Sequence, residues 1–441
     1  MKTFLLSMGL AAVGVVRAFA GETVQLHLQP DQRVLLTGDP REVVVKIDLA
    51  ATGAKTRGKR GPVNIVAVLD RSGSMSGAKL EKAKQGVVEL IDQLGESDTF
   101  ALVVYDSTVQ VVVPAQHIED REELKRRVER IHSGGSTALY GGVERGAAEL
   151  EKFCSASSIN RVILLSDGLA NIGPSSTEDL RGLGRRLAAR GLSVSTIGVG
   201  DDYNEDLMSA IAEASDANYY YVRDAEKLPQ IFAKELGQLL AVTARDIRIE
   251  IACPDGVEPI DLIGRPEKFS RRKAVVQLSP LASSQTRYLF LRCKVAEPRE
   301  IERRDLATVT LSYLDEQNGS RPETMTQTVQ VGFTNDSQRA MASADTTIVA
   351  ERELQLNALV KDKAMGQSDA GKNKEAAQVL NEQAEKLDAA ASRAPEKYAA
   401  QFKEEAKNAR DRAGQIAEAP MTATMRKQVQ SESYQQKNAK Q

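Results

Sequence analysis

The sequence predicts an α/β domain with a doubly wound, mostly parallel sheet, inserted in a β-sandwich and followed by a helical C-terminal region. Three observations predict this architecture. Largely apolar strand runs alternate with amphipathic helical stretches over residues 61–243, strand-rich segments flank that block, and Ala, Gln, Glu and Lys at helical spacing dominate from residue 340. The length of 441 residues also exceeds what one hydrophobic core serves comfortably.

The first 20 residues have the pattern of a cleavable export signal. Lys2 precedes an apolar run over residues 4–16, and Ala18-Phe19-Ala20 supplies the small-residue exit. A membrane anchor is the alternative, but Arg17 interrupts an apolar stretch already shorter than the ~20 residues that span a bilayer. No second apolar segment follows, so we expect an exported protein, periplasmic or secreted, with no integral membrane segment after signal cleavage.

Composition excludes several classes of partner. The formal net charge is −2 and the pI about 6.1, which does not favour nucleic acid or an anionic membrane. Trp is absent and aromatic residues make up 4% of the chain, too few for a sugar-stacking or single-strand nucleic-acid surface.

Residues 21–60 and 244–335 predict the two parts of the sandwich. The runs VQLHLQ and VVVKIDL lie in the first part, and IRIEI, AVVQL, RYLFLRCKV, ATVTLSYL and TMTQTVQVGF in the second. Because these sets lie on both sides of the α/β block, we expect them to fold together. Of the three cysteines, Cys253 and Cys293 fall near strand ends of one segment, so we expect them to pair. Three buried free thiols, Cys154 included, are the alternative.

Residues 61–243 supply the strands and helices of the α/β domain. The strand runs are NIVAVLD, FALVVY, VQVVV, RVILLSD, LSVSTIGVG and YYYV. The helical stretches span residues 76–94, 121–131, 139–153, 177–189, 204–214 and 228–242. Residues 340–420 predict two or three helices of an antiparallel bundle, with breaks at 366–371 and at Pro395, and the polar residues 421–441 predict a disordered tail.

Hard oxygen donors follow the strands of the α/β domain. Asp70 ends the first strand, and Ser72 and Ser74 follow it. Thr137 precedes the helix over residues 139–153, and Asp167 is the last residue of the run RVILLSD. Ligands bind doubly wound sheets beyond the carboxyl ends of the strands. Each residue alone is explained as a helix cap or a turn residue. Together, however, all three loops place oxygen donors at the same edge of the predicted sheet. The pattern therefore predicts a site for magnesium, which prefers oxygen ligands.

The predicted α/β domain resembles a von Willebrand factor type A domain with its metal-ion-dependent adhesion site. The resemblance is carried by the motifs DRSGSMSG, GGSTALYGG, ILLSDGLAN and STIGVGDDYNEDLM. The resemblance covers about two-fifths of the chain, and its metal shell falls on Asp70, Ser72, Ser74, Thr137 and Asp167. It implies Mg²⁺ or Mn²⁺, with the open metal position filled by Glu or Asp of a protein partner, in adhesion or complex assembly. Integrin β chains carry paired aspartates for a second ion where this chain has Gly77 and Ala78, so no second ion is expected. The sandwich interrupted by this domain resembles, more loosely, the hybrid-domain arrangement of integrin β chains. Secreted bacterial proteins with such domains and the inter-α-trypsin inhibitor heavy chains have similar central segments.

Three rival functions remain open. Residues 76–79 match the Ser-x-x-Lys element of penicillin-recognising hydrolases, but the companion elements are absent from the sequence. Metal-assisted hydrolysis needs a general base or second metal, while the nearby Asp106, Asp201 and Asp202 belong to separate loops, the last two interpreted as turn residues. An assembly factor for a larger complex is the third. The sequence favours a binding protein over an enzyme.

Overall fold

The fold is described from a computed structural model over residues 23–38, 40–52, 61–155, 158–296 and 303–438. The export-signal prediction for residues 1–20 lies outside the described residues. The described chain begins with three strands, β1 (Val24–Pro30), β2 (Val34–Leu36) and β3 (Arg41–Ala51). Within the described ranges, no helix is long and apolar enough to cross a membrane.

The central domain is an α/β unit with a six-stranded sheet. Its strands are β4 (Val63–Asp70), β5 (Thr99–Tyr105), β6 (Val109–His117), β7 (Ile159–Ser166), β8 (Leu192–Val199) and β9 (Tyr219–Val222). Its helices are α1 (Ala78–Gln93), α2 (Arg121–Glu129), α3 (Leu139–Glu151), α4 (Thr177–Ala188), α5 (Glu205–Ala214) and α6 (Leu228–Leu240). The strand order is β6-β5-β4-β7-β8-β9, and only the β5–β6 pair is antiparallel.

Burial explains why these segments form this sheet. Every residue of β4 and β5 is buried, as strands covered by helices on both faces require. The helices present one apolar stripe each; in α1 this stripe includes Leu80, Val87 and Leu90. Two apolar clusters, one on each face of the sheet, form the domain core.

Strands from both sides of the central domain build a β-sandwich. The later strands are β10 (Val242–Ala252), β11 (Val257–Leu262), β12 (Lys273–Leu278), β13 (Leu281–Ala282), β14 (Thr286–Val295), β15 (Arg304–Asp315) and β16 (Arg321–Thr334). One sheet has the order β1-β3-β14-β11 and the other β12-β10-β15-β16-β2, with β13 beside β10. Because β3 pairs with β14 and β2 with β16, the α/β domain is an insertion in the sandwich, which confirms the predicted fold class.

The predicted disulfide is not formed in this structure. Cys253 and Cys293 are both buried in the sandwich core, but as free thiols. Cys253 directly follows β10 of one sheet, and Cys293 lies in β14 of the other. The Cys293 thiol donates a hydrogen bond to the Val43 carbonyl of its own sheet at 3.5 Å.

Helices form the rest of the chain. They are α7 (Ser337–Ala342), α8 (Thr346–Asp369), α9 (Asn373–Ala391), α10 (Glu396–Glu418) and α11 (Ala423–Asn438). The helices α8, α9 and α10 share small clusters of Ala, Leu, Tyr and Phe side chains, as predicted for a bundle.

The prediction of a disordered tail over residues 421–441 is wrong for the segment that forms α11. This helix packs against α8 and against the central domain, and it buries Lys427, Val429 and Tyr434. The Lys427 ammonium lies 2.9 Å from Glu205, and the Tyr434 hydroxyl donates to the Ala217 carbonyl at 2.7 Å. Polar side chains are buried here because they meet polar partners, which composition alone does not reveal.

Candidate metal centre

The parallel strands β4 and β7 bring two carboxylates to one edge of the sheet. Leu69 pairs with Leu165, so Asp70 at the end of β4 lies beside Ser166 at the end of β7, and Asp167 follows directly. Both aspartates are fully buried. The chain therefore places two desolvated carboxylates at the carboxyl end of adjacent strands.

The first loop is folded around Asp70. The Ser72 backbone N–H donates to Asp70 Oδ1 at 2.8 Å, and the Ser166 hydroxyl donates to Asp70 Oδ2 at 2.7 Å. A 3₁₀ turn over Gly73–Met75 follows, and the buried Met75 side chain anchors it to the core. The Ser72 and Ser74 hydroxyls lie 3.1 Å apart, so this loop presents two oxygens side by side.

The second loop is tied to the first by its backbone. The Gly73 N–H donates to the Gly135 carbonyl at 3.1 Å, and the Gly134 N–H donates to the Arg71 carbonyl at 2.8 Å. Gly135 has a φ of +80°, which only glycine adopts without strain. These bonds fix the approach of Thr137, which is buried at the start of α3.

Three hydroxyls and a carboxylate converge above the sheet edge. The Ser74 hydroxyl donates to Asp167 Oδ1 at 2.7 Å. A methyl carbon placed on Gly168 would lie 3.2 Å from the Thr137 hydroxyl, 3.4 Å from Ser74 Oγ and 3.9 Å from Ser72 Oγ. The structure thus brings all five predicted residues, Asp70 included, to one small volume.

The donor set suits a hard divalent cation. Among the described residues, no group of three or more His, Cys, Asp or Glu side chains is placed to hold a metal. The candidate centre instead has two carboxylates and three neutral hydroxyls, all of them oxygen donors, which are the ligands that hard divalent cations prefer. Each carboxylate oxygen keeps further lone-pair capacity beyond the hydrogen bond it accepts.

The carboxylates of Asp70 and Asp167 are buried, so water does not compensate their negative charge. Burial raises the pKa of Asp70, and the Asp167 carboxylate adds to the rise, while hydrogen bonds from Ser72 and Ser166 act to lower it. The Lys79 ammonium lies 2.5 Å from Asp167 Oδ2. A cation at this edge therefore relieves the repulsion between two desolvated carboxylates.

Several residues at the site were not predicted as such from the sequence. Ser166 and Asn171 hold Asp70 and Thr137, the latter through Asn171 Oδ1, which accepts from the Thr137 N–H at 2.9 Å. Lys79 was noted only in the Ser-x-x-Lys pattern, and its partner is Asp167 rather than Ser76. Asp201 is more than the predicted turn residue: it accepts from the Tyr221 hydroxyl at 2.6 Å and from Thr424 of α11 at 2.8 Å.

The sequence and fold match known proteins. The von Willebrand factor type A domain family is matched over residues 64–234. Residues 64–234 are a von Willebrand factor type A domain. Such domains generally mediate interactions between proteins. The protein YfbK of Escherichia coli strain K12 is 27% identical over 213 residues, covering 48% of this chain and 37% of that protein.

The structural likeness extends beyond this von Willebrand factor type A domain. A von Willebrand factor type A protein from Catenulispora acidiphila has a TM-score of 0.66 at 19% identity, covering 82% of this chain and 87% of that one. The ArnB paralog VWA2 from Sulfolobus acidocaldarius has a TM-score of 0.60 at 17% identity, covering 90% and 98%. The architecture of flanking strands and helices is therefore shared, while this chain spans less than half the length of the curated relatives it matches first.

Proposed function

We propose that this chain acts outside the cytoplasm as a binding protein whose von Willebrand factor type A domain holds one Mg²⁺ or Mn²⁺ through Asp70, Ser72, Ser74, Thr137 and Asp167. The metal, when bound, supplies a Lewis-acidic position for a Glu or Asp carboxylate of a protein partner. The observation that carries the proposal is the convergence of the Ser72, Ser74 and Thr137 hydroxyls within 4 Å of one point beside Asp167. The export-signal pattern of residues 1–20 supports the location.

Charge counting supports the capture of an acid. Asp70 and Asp167 bring two negative charges, which balance a divalent cation, and the three hydroxyls are neutral. Because hydroxyls are weaker donors than carboxylates, the ion keeps affinity for an incoming anion. The hydrogen bonds that bind the three loops together hold the donors in place before metal or partner arrives.

Binding is favoured over metal-assisted hydrolysis by the state of the neighbouring carboxylates. The pKa of Asp106 is lowered: burial acts to raise it, but hydrogen bonds from Thr108 and the Arg71 guanidinium outweigh that effect. The Tyr221 hydroxyl likewise lowers the pKa of Asp201, against a smaller opposing effect of burial. Both carboxylates are therefore poor general bases at neutral pH.

Isothermal titration of the full mature chain with MgCl₂ and MnCl₂ tests the proposal. We expect one site in the wild type and none in Asp70→Asn, which removes the charge but keeps a side chain that can bond Ser72 and Ser166. Asp202→Asn is the matched control, because it removes a similar charge from an exposed position on the neighbouring loop. Equal metal affinity in Asp70→Asn and wild type would show that the site is assigned wrongly.

A partner recovered from the exported fraction provides the second arm. Its binding should disappear in EDTA, return with Mg²⁺ and be lost in Thr137→Ala. A partner that stays bound in excess EDTA would place the contact elsewhere, on the sandwich or the helical region.

A further inference from the structure

Two large apolar side chains are exposed beside the candidate metal centre. Leu169 is 59% exposed and Ile172 37% exposed. The other large apolar side chains exposed among the described residues are scattered over the sandwich and α7: Ile260, Val275 and Met341. Two such side chains on one loop of a protein-binding site mark a surface that gains free energy when a partner covers it.

The loop that carries these side chains is fixed to Thr137. The backbone N–H groups of Asn171 and Ile172 both donate to the Thr137 carbonyl, at 3.2 and 3.4 Å. Ala170 packs against the apolar core beneath the loop. The bonds of Asn171 and Ile172 to a candidate metal ligand and the packing of Ala170 fix the loop that carries both exposed side chains, so little backbone entropy is lost when a partner contacts them.

The charges at the centre select an anionic group for the position next to this apolar pair. A bound divalent cation and the Lys79 ammonium bring three positive charges against the two negative charges of Asp70 and Asp167. The complementary partner surface therefore has one carboxylate directly beside apolar side chains.

We infer that Leu169 and Ile172 form an apolar rim that selects, among acidic partners, a segment with Leu, Ile, Met or Phe within two positions of its Asp or Glu. In an extended segment two positions span about 7 Å, which suits a side chain adjacent to the metal-bound carboxylate. This inference rests on the proposed function and names the chemistry of its partner.

A displayed library of cyclic peptides with one fixed Asp and randomised neighbours tests the rim. The full mature chain is used for selection in Mg²⁺, and bound peptides are eluted with EDTA. Parallel selections use the Leu169→Ser/Ile172→Ser double variant and, as matched control, Met341→Ser, an exposed apolar residue on α7 with 76% exposure. Mg²⁺ titration and a thermal melt of the double variant verify that its fold and metal site are intact, since Ile172 is 37% exposed and partly covered by the protein.

We expect the wild-type and Met341→Ser pools to be enriched in Leu, Ile, Met or Phe beside the Asp, and the double-variant pool to lose that enrichment. For individual peptides, Leu→Ser beside the Asp should raise the Kd about tenfold with wild type and less than twofold with the double variant. The inference about the rim is wrong if the peptides eluted by EDTA have polar or charged residues beside the Asp, or if the double variant selects the same apolar residues as the wild type. Neither result would contradict the proposed function. A pool that EDTA does not elute, or no pool at all, counts against the proposed function as well.

Discussion

Gly168 leaves the space into which the hydroxyls of Ser72, Ser74 and Thr137 point. A methyl group there would lie 3.2 Å from the Thr137 hydroxyl and 3.4 Å from Ser74 Oγ, and its φ is not in the left-handed region. We expect Gly168→Ala to fold but to lower Mg²⁺ affinity by roughly tenfold or more, because Mg²⁺ tolerates little distortion of its octahedral shell.

Gly134→Ala is the control for that variant. Gly134 lies in the loop before Thr137, has an ordinary φ, and a methyl group there would meet no atom within 4 Å. Calorimetric titration compares the two variants. Unchanged affinity in Gly168→Ala would show that the metal does not occupy the volume between these hydroxyls.

Lys79 is a cation already present at the site. Its ammonium pairs with Asp167 at 2.5 Å, and a metal ion must share that carboxylate with it. Lys79→Met should therefore strengthen Mg²⁺ binding, on the order of tenfold, and lower the Tm in EDTA, because Asp167 loses its counter-charge.

Lys82→Met on the same helix serves as the comparison, since Lys82 pairs with Glu226 at 2.7 Å, away from the five candidate ligands. It should leave Mg²⁺ affinity unchanged. Weaker Mg²⁺ binding in Lys79→Met would mean that Lys79 supports the ion rather than competing with it.

At the scale of elements, α11 joins the helical region to the central domain. Besides Tyr434, it contributes Arg426, whose guanidinium lies 2.6 Å from Glu205 and 2.8 Å from Asp206. Its Thr424 bonds to Asp201, in the loop after β8 that also carries Gly200 close to Lys79. The helix therefore braces one of the loops around the candidate metal centre.

Tyr434→Ala should release α11. The ring is buried against Tyr219, with ring centroids 5.5 Å apart, and its hydroxyl bonds to Ala217. Loss of a buried aromatic side chain costs about 3–5 kcal/mol. We expect faster hydrogen exchange and proteolysis over residues 423–438, and Gln435→Ala, at an exposed position of the same helix, should change neither. Unchanged protection in Tyr434→Ala would contradict the docking described.

We expect the packing of α11 on α8 and α10 to depend on pH as well. Burial acts to raise the pKa of Glu432, but its pairs with Arg412 at 2.7 Å and Lys361 at 3.0 Å lower it overall. These pairs stabilise the fold above the ordinary glutamate pKa of about 4.3, and the contribution is lost as the pH falls through the lowered value.

Glu432→Gln should consequently lower the Tm at pH 7, and its Tm difference from wild type should narrow below about pH 4. Circular-dichroism melts at pH 7 and pH 3.5 measure this, with the exposed Glu385→Gln as a control of small effect. A Tm difference that is the same at both pH values would rule out this ionic contribution.

The sequence predicted the central elements closely because their patterns are strong. The helix expected over residues 76–94 is α1, Ala78–Gln93, and the buried run NIVAVLD is β4. The helix α11 escaped prediction because its buried side chains are largely polar, and the partners that satisfy them are more than 200 residues away, as Lys427 and Glu205 show. Hydropathy patterns do not register such pairs.

At the scale of the whole molecule, the sequence predicted that strands on both sides of the insertion fold together, but it did not predict their registers. Strand runs before and after the α/β block indicated one sandwich, but the registers, such as Val45 opposite Leu291, depend on contacts across more than 240 residues. The convergence of the five candidate ligands was predictable because each lies at the end of a strand, in the loop after it or just before a helix at one sheet edge. The approach of Lys79 and Ser166 was not, since it depends on how α1 and β7 pack in three dimensions.

The same architecture separates the candidate binding edge from the supporting parts. The sandwich strands β3 and β10 hold the two ends of the central domain, while the loops with Asp70, Thr137 and Asp167 lie at the carboxyl ends of its parallel strands. The candidate metal centre therefore lies on loops whose positions are fixed by the sheet.

Anomalous diffraction from crystals of the full chain grown with Mn²⁺ decides whether the five candidate ligands bind a metal ion. We expect one strong peak, within about 2.5 Å of at least three of the five residues Asp70, Ser72, Ser74, Thr137 and Asp167, with the remaining contacts made through water. The peak should be absent from crystals of Asp70→Asn grown in the same way. No peak at saturating Mn²⁺, or a peak held by other residues, would show that these five residues do not form a metal site.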